Sequence, residues 1–285
     1  MQLQEKKSYD AHQHWLEKRF EKNQIIEQLK EIYATIKKLD TNPVYAHLLP
    51  LLQKKDTWLT MGDSYGTDAT RIAPLCKEAL PADIGVAFLE IAQKEGFIKA
   101  YSQQNAEKMT FEDNTFDFFL CRETYHHFPR PYIAVYEMLR CAKKGIVISE
   151  PLDPIFKMPF LLFLCNILDT KKMPLRSRKF WKNRFSFEIV GNYVYKVSQR
   201  EFEKIAMGIG LPAVAFYYFN GVEKNNIKSV LRNILTKLRI IPYQRLVAVL
   251  FKELPDEKTK ENLRKKGYYY YELPQNPYLN DVQAD

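Results

Sequence analysis

A chain of 285 residues with 46% hydrophobic and 27% charged residues has the composition of a globular protein with a real core, which excludes a largely disordered chain. Its 43 basic and 34 acidic residues give a net charge of +9, so the surface should attract anions such as nucleotides, phosphorylated substrates or acidic lipid headgroups. No apolar run approaches the roughly 20 residues of a membrane span, and the first residues, MQLQEKK, lack a signal-like apolar region. We therefore expect a cytoplasmic protein.

The cysteines show no metal-binding pattern. Neither C-x-x-C nor His-paired spacing occurs around Cys76, Cys121, Cys141 and Cys165. We expect reduced thiols and no metal site.

Helical periodicity dominates the first part of the chain. Apolar residues recur every three to five positions from Leu16 to Ile36, which predicts one or two amphipathic helices within residues 10–39. The pair Asn42-Pro43 ends this section, and a short helix over 45–52 is expected to lead into the first strand.

Strands and helices then alternate. The predicted strands are 57–61, a brief one before Asp83, 116–121 and 145–149, and the predicted helices are 68–77, 86–95 and 131–142. This alternation is typical of a parallel sheet covered by helices on both faces.

The pattern changes after Pro151. Residues 155–190 combine an apolar run at 160–165 with a basic cluster at 171–184 that contains no acid, so we interpret this segment as an insertion. Order returns with a helix near 198–208, a strand at 213–219, a basic helix near 227–238 and a strand at 245–251. The two late strands are expected to form an antiparallel pair that finishes the sheet, before a charged and then aromatic tail from residue 255.

The most informative stretch is TWLTMGDSYGTDA at residues 57–69, where a strand runs into a glycine-bearing turn and then a helix. Without side chains, Gly62 and Gly66 can adopt positive φ and let the backbone approach a ligand closely. Asp83 follows about 20 residues later, where such folds place a ribose-binding carboxylate. A tight turn and a helix N-cap are the structural alternatives for these residues.

A second set of residues distinguishes between cofactors. NAEKMTFEDNTFD at 105–117 precedes an apolar strand, and YHHFPRP follows it at 125–131. With the glycine turn, this order resembles the class I S-adenosylmethionine-dependent methyltransferases over about residues 56–151, roughly a third of the chain. The resemblance implies a Rossmann-like, mostly parallel seven-stranded sheet with an antiparallel final strand, and S-adenosyl-L-methionine as the cofactor.

The resemblance also implies the cofactor-binding residues. The turn would face the methionine and ribose of the cofactor through Thr60, Gly62, Asp63, Ser64 and Gly66. The ribose would bind at Asp83 and Ile84. The adenine would lie beside Asn105, Ala106 and Glu107. Two positions depart from the family pattern. Thr60 replaces the usual acid at the end of the first strand, and Ser64 replaces the middle glycine, which requires a negative φ there.

The candidate catalytic residues follow the fourth strand. His126 and His127 titrate near neutral pH and lie where open α/β sheets place ligands, so either is a candidate base, although adjacent histidines cannot both face the same way. Glu123 is a further strand-end acid that could orient a histidine, bind substrate or lie solvated in a loop.

The basic insertion bears on the substrate. Tyr125 and the residues Arg176, Arg178, Lys179 and Trp181 are the predicted substrate-binding set, suited to a phosphorylated or nucleotide-linked small molecule. A solvated helix face is one alternative, and peripheral membrane contact through 155–184 is another. No nucleic-acid-binding motif accompanies the charge, and the sequence indicates no oligomeric state.

The leading hypothesis is an enzyme that O-methylates an anionic small molecule or a sugar precursor, for example in surface-polysaccharide synthesis. A nicotinamide-dependent oxidoreductase and a catalytically impaired cofactor-binding or membrane-surface module are the alternatives. The expected organisation is an N-terminal helical lid (1–55), a cofactor-binding core (56–151), a basic and aromatic substrate insertion (152–190), completion of the core sheet (191–254) and a C-terminal tail (255–285).

Overall fold

The computed structural model describes residues 22–36, 45–153, 193–220, 227–238 and 240–276. Their centre is one eight-stranded sheet. Its strands are β1 (Thr57–Met61), β2 (Glu78–Asp83), β3 (Ser102–Gln103), β4 (Phe116–Arg122), β5 (Ala142–Pro151), β6 (Ala213–Phe219), β7 (Arg245–Phe251) and β8 (Tyr269–Glu272). Across the sheet the order is β3-β2-β1-β4-β5-β7-β6-β8.

The first five strands are parallel and the last three are antiparallel to their neighbours. The predicted Rossmann-like α/β fold is confirmed. The sheet has eight strands rather than seven, because β8 pairs with the outer side of β6.

Helices cover both faces of the sheet. They are α1 (Lys22–Thr35), α2 (Thr67–Ile72), α3 (Ala87–Lys94), α4 (Pro131–Cys141), α5 (Gln199–Gly208), α6 (Ile227–Lys237) and α7 (Glu257–Lys266). On one face, α4 and α5 pack on alternate strand residues such as Ile146 and Leu250. On the other, α2, α7 and the segment that starts at Tyr45 pack on the intervening residues.

Two predicted helices differ from the structure. Residues 45–51 form successive hydrogen-bonded turns rather than a helix, with Tyr45, Leu48 and Leu51 buried against the sheet. The predicted helix 68–77 ends at Ile72 and continues only as a 3₁₀ turn, Ala73–Leu75. Pro74 explains this ending, since it has no N–H to continue the α-helical hydrogen bonds.

The predicted tail contains two regular elements. Its charged part is α7, which begins at the N-cap Asp256 and ends at Gly267 with φ of 98°. Its aromatic part is β8, and residues 277–285 lie outside the described residues. The charged and aromatic runs therefore build the edge of the sheet.

Pro81 is accommodated inside β2, although proline weakens a central strand. It lies opposite Thr60 of β1. On its other side β3 spans only two residues, opposite Ala82 and Asp83. The missing N–H of Pro81 therefore falls where β2 is still an edge strand.

Helix α1 packs on α3 through a separate small core that includes Leu29, Phe88 and Leu89. Its Tyr33 stacks on Phe97 and donates a hydrogen bond to the Tyr65 carbonyl, 2.7 Å away. The N-terminal region is therefore tied to the turn that follows β1. Among the described residues, no helix is long and apolar enough to cross a membrane.

Candidate cofactor and catalytic site

The turn after β1 requires glycine at its first position. Gly62 has φ of 76°, and its N–H donates to the Ala82 carbonyl, 2.7 Å away. A Cβ added there would lie 2.0 Å from Thr124 Cγ2, far inside contact distance. Gly62 thus allows the β1 turn and the β4 turn to touch.

The two departures from the family pattern are compensated locally. Thr60 Oγ1 donates to Asp63 Oδ2 at 2.9 Å, and the Ala69 N–H donates to the same oxygen at 2.9 Å. The Thr60 hydroxyl is thus satisfied by the Asp63 carboxylate. Positive φ outside glycine occurs, within the described residues, only at Asn114 and Glu123, so Ser64 keeps the negative φ it requires.

Asp63 is oriented into the protein rather than towards a ligand. Its carboxylate is buried, and burial together with nearby Asp68 raises its pKa. Its contacts hold β1 and α2 together. Asp63 therefore has a structural role, because its Oδ2 accepts from Thr60 and Ala69, and its predicted cofactor contact stays a prediction.

Asp83 lies at the carboxyl end of β2, as the ribose-binding assignment requires. Its Oδ1 accepts from the Gly85 N–H at 2.9 Å, and the residue remains partly exposed. Desolvation by burial raises its pKa to about 6. A carboxylate has about four acceptor sites, so this group keeps capacity for a ribose diol.

The predicted adenine-side residues divide between two roles. Asn105 is partly exposed, and its Oδ1 accepts from the Glu107 N–H at 2.9 Å, which shapes the loop. Ala106 and Glu107 are buried. Glu107 accepts from the N–H and Nε of Arg130, both at 2.6 Å, so it fixes the start of α4 rather than facing a ligand.

The two histidines lie in the turn Tyr125–His127 that follows β4. His126 Nδ1 is 2.5 Å from Glu150 Oε2, and the two histidine rings are 4.1 Å apart between centroids. Glu150 is fully buried at the end of β5, and its Oε1 accepts from the N–H groups of Thr124 and Tyr125 at 2.6 and 2.8 Å. One carboxylate therefore holds both the turn and the imidazole.

Glu123 and Tyr125 have other partners than those predicted. Glu123 forms an ion pair with Arg245 of β7, so the acid that contacts His126 is Glu150. Tyr125 is 1% exposed, with its ring packed edge-on to Phe128 and Phe202. Tyr125 is thus packed in the core of the described structure, and its predicted contact with substrate stays a prediction.

The remaining predicted substrate residues, Arg176, Arg178, Lys179 and Trp181, lie outside the described residues, as does the segment 155–184. Sequence reasoning missed Glu150 and Thr124. The signal for Glu150 was an acid directly after the apolar strand GIVIS, at the same sheet edge as the histidines.

The glycine turn, a strand-end carboxylate and a histidine–glutamate pair form a candidate cofactor-binding edge of the Rossmann-like sheet. Residues 59–148 match the model of the family described as methyltransferase domain. A curated relative, the uncharacterized methyltransferase YcgJ of Bacillus subtilis, is 28% identical over 138 residues, which are 45% of this chain and 54% of the relative. The chain thus spans about half the length of the curated relative it matches.

Two solved structures resemble this chain at low sequence identity. A chain in the complex between the Haloferax volcanii Trm112 methyltransferase activator and a methyltransferase candidate is 11% identical, with a TM-score of 0.52, covering 82% of this chain and 98% of that one. A SAM dependent methyltransferase from Archaeoglobus fulgidus is 13% identical, with a TM-score of 0.48, covering 79% and 94%.

The core therefore has the class I methyltransferase fold, and residues 59–148 form a methyltransferase domain whose cofactor is S-adenosylmethionine. The predicted family and cofactor are confirmed. The donor set fits this cofactor, because Asp83 offers acceptors for a ribose diol and Asn105 offers an amide beside it. The match does not favour an NAD-dependent oxidoreductase.

Proposed function

We propose that the protein transfers a methyl group from S-adenosylmethionine to a hydroxyl oxygen of an anionic small molecule or sugar precursor, for example one used for a surface polysaccharide. The observation that carries this proposal is the contact of 2.5 Å between His126 Nδ1 and Glu150 Oε2. S-adenosylmethionine supplies an electrophilic methyl group, and a hydroxyl acceptor must lose its proton as it reacts.

Glu150 decides which nitrogen of His126 acts as the base. A carboxylate only accepts hydrogen bonds, so Nδ1 is the donor in this pair. Nε2 is then the nitrogen that takes a proton, and Glu150 stabilises the imidazolium that forms, as the acid does in other His–carboxylate pairs. His126 is the proposed base and Glu150 its positioning residue.

The charge of the chain supports an anionic acceptor. The net charge of +9 and the basic cluster that includes Arg176, Arg178 and Lys179 would attract a phosphorylated or nucleotide-linked molecule, with Trp181 available for stacking. Arg245 adds a cation at the described sheet edge, where it is paired with Glu123. These cations support a negatively charged acceptor.

The test separates cofactor binding from proton transfer. S-adenosylhomocysteine binding is measured by calorimetry, and transfer of a labelled methyl group is measured with a panel of sugar phosphates and nucleotide sugars. His126→Ala should lower turnover by about 10²–10⁴-fold, as expected for loss of a general base. Its affinity for S-adenosylhomocysteine should stay within about twofold of wild type, because no cofactor contact is removed.

Three further variants complete the design. Glu150→Gln should lower turnover less than His126→Ala and shift the acidic limb of the pH–rate profile, whereas Asp83→Ala should mainly weaken S-adenosylhomocysteine binding. His127→Ala is the matched control in the same turn. A larger loss of turnover in His127→Ala than in His126→Ala would transfer the role to His127, and equal loss of binding and turnover in both would contradict a base in this turn.

A further inference from the structure

Helix α6 presents an apolar face to solvent. Val230, Leu231, Ile234 and Leu238 are 57, 54, 49 and 65% exposed. Their spacing of one, three and four residues places them on one side of the helix. Ile240, whose N–H donates to the Leu235 carbonyl at the end of α6, is also more than half exposed. Soluble monomers expose single apolar side chains routinely, but rarely a contiguous stripe.

The opposite side of α6 is polar and contacts the protein through Thr236 and Asn233. Thr236 is 2% exposed. Asn220, at the end of β6, donates from Nδ2 to Asn233 Oδ1 at 2.8 Å and lies 3.4 Å from Thr236 Oγ1. A surface helix normally buries its apolar side and exposes its polar side. In α6 the polar side contacts the protein and the apolar side faces solvent, so the apolar side is available to a partner.

The charged residues in the sequence of the helix are basic. Residues 227–238 include Lys228, Arg232 and Lys237 and no acid. Lys237 is exposed beside the apolar stripe, whereas Arg232 is exposed on the polar side, one turn before Thr236. Such a combination suits a surface that offers both hydrocarbon and negative charge, which is the boundary of an anionic lipid layer.

Strand directions place α6 on the same side of the sheet as the candidate site. Strand β7 is antiparallel to β5 and begins at Arg245, opposite Pro151 at the end of β5. Phe219, the last residue of β6, is likewise opposite Arg245. The connection that contains α6 therefore starts and ends at the edge where Asp83 and His126 lie.

We propose that α6 is an interfacial helix through which the protein docks on an anionic membrane surface. With 11 residues it is about 16 Å long, too short to span a bilayer, so it would lie in the interface. A second copy of the chain fits this face less well. Two-fold pairing would bring identical basic stripes together on molecules of charge +9.

The experiment is co-sedimentation of the full chain with two kinds of vesicle, phosphatidylcholine alone and phosphatidylcholine mixed in equal parts with phosphatidylglycerol. The wild type should sediment with the mixed vesicles and be released by high salt. The double variant Leu231→Gln/Ile234→Gln should bind about tenfold or more weakly, because it removes apolar area while glutamine keeps the helix propensity.

Met207→Gln/Leu254→Gln is the matched control, since these two side chains are 44 and 52% exposed elsewhere on the protein. It should bind like wild type, and circular dichroism should show all proteins equally folded. The proposal is overturned if the wild type stays in solution, if the α6 variant binds like wild type, or if the wild type is a dimer that the α6 variant dissociates. None of these readouts depends on methyl transfer, so this proposal and the proposed function fail separately.

Discussion

Asp83 lies where a ribose-binding carboxylate is expected, and its pKa is raised. It lies at the end of β2 with acceptor capacity to spare, and burial raises its pKa to about 6. Lowering the pH through 6 therefore relieves a buried charge and does not cost folding stability at this residue. What it removes is the acceptor, because a protonated carboxyl accepts two hydroxyls less well.

We predict that affinity for S-adenosylhomocysteine falls about tenfold between pH 7 and pH 5, since the ionised fraction of a group with a pKa near 6 falls by that factor. Calorimetric titrations across this range measure the effect. Asp83→Asn should bind more weakly at pH 7 and lose most of the pH dependence. A profile in the variant as steep as in wild type would assign the titration to another group.

At the scale of the elements, the carboxyl edge of the sheet is assembled by contacts between consecutive turns. Gly62 in the turn after β1 touches Thr124 in the turn after β4, and Glu150 at the end of β5 holds Thr124, Tyr125 and His126. The cofactor turn and the candidate base are therefore mechanically connected through Thr124.

Gly62→Ala should therefore destabilise the protein far more than the loss of glycine flexibility alone. We expect a cost of about 3 kcal/mol or more, from a left-handed φ of 76° plus a Cβ that lies 2.0 Å from Thr124 Cγ2. Urea unfolding measures the free energy of unfolding of each variant.

Gly96→Ala is the matched control. Gly96 has the same φ of 76°, and no described atom lies within 4 Å of an added Cβ. Its cost should be only about 1 kcal/mol, the penalty of the backbone conformation. Thr124→Gly should partly rescue Gly62→Ala but not Gly96→Ala. Equal losses of unfolding free energy in Gly62→Ala and Gly96→Ala would show that the turns after β1 and β4 are not in tight contact.

At the scale of the whole molecule, the segment just before β1 and the residues just before β8 meet on one face of the sheet. Tyr268 is 5% exposed, and its hydroxyl donates to the His47 carbonyl at 3.0 Å. Its ring also packs on Tyr217, with centroids 5.2 Å apart. The segment before β1 is thus held by residues that immediately precede β8.

We predict that Tyr268→Ala lowers the free energy of unfolding by about 3–5 kcal/mol, as for other large buried aromatic side chains. Tyr269→Ala, at an adjacent residue that is 60% exposed, should cost less than about 1 kcal/mol. Tyr268→Phe should lose only about 1 kcal/mol with the hydrogen bond. Similar costs for Tyr268→Ala and Tyr269→Ala in denaturant unfolding would show that Tyr268 and β8 are not part of the cooperative fold.

Much of the core architecture was predictable because its signals are local. Apolar strands, alternating amphipathic helices and glycine turns each depend on neighbouring residues, and the predicted strands 213–219 and 245–251 match β6 and β7. The prediction of a helix over 45–52 was wrong, because the three-residue spacing of Tyr45, Leu48 and Leu51 also suits successive turns that bury the same side chains. Strand β8 was missed because a short aromatic strand is stabilised by its pairing with β6 rather than by its own pattern.

The sequence by itself determined the class of fold, the glycine turn, Asp83 as the strand-end carboxylate and the two histidines as candidates, since chemistry and spacing along the chain identify them. Only the tertiary structure decided which of these side chains contact the scaffold. It placed Glu150 on His126, turned Asp63 and Glu107 inward, and buried Tyr125, because these partners are distant in sequence and meet only when the sheet closes.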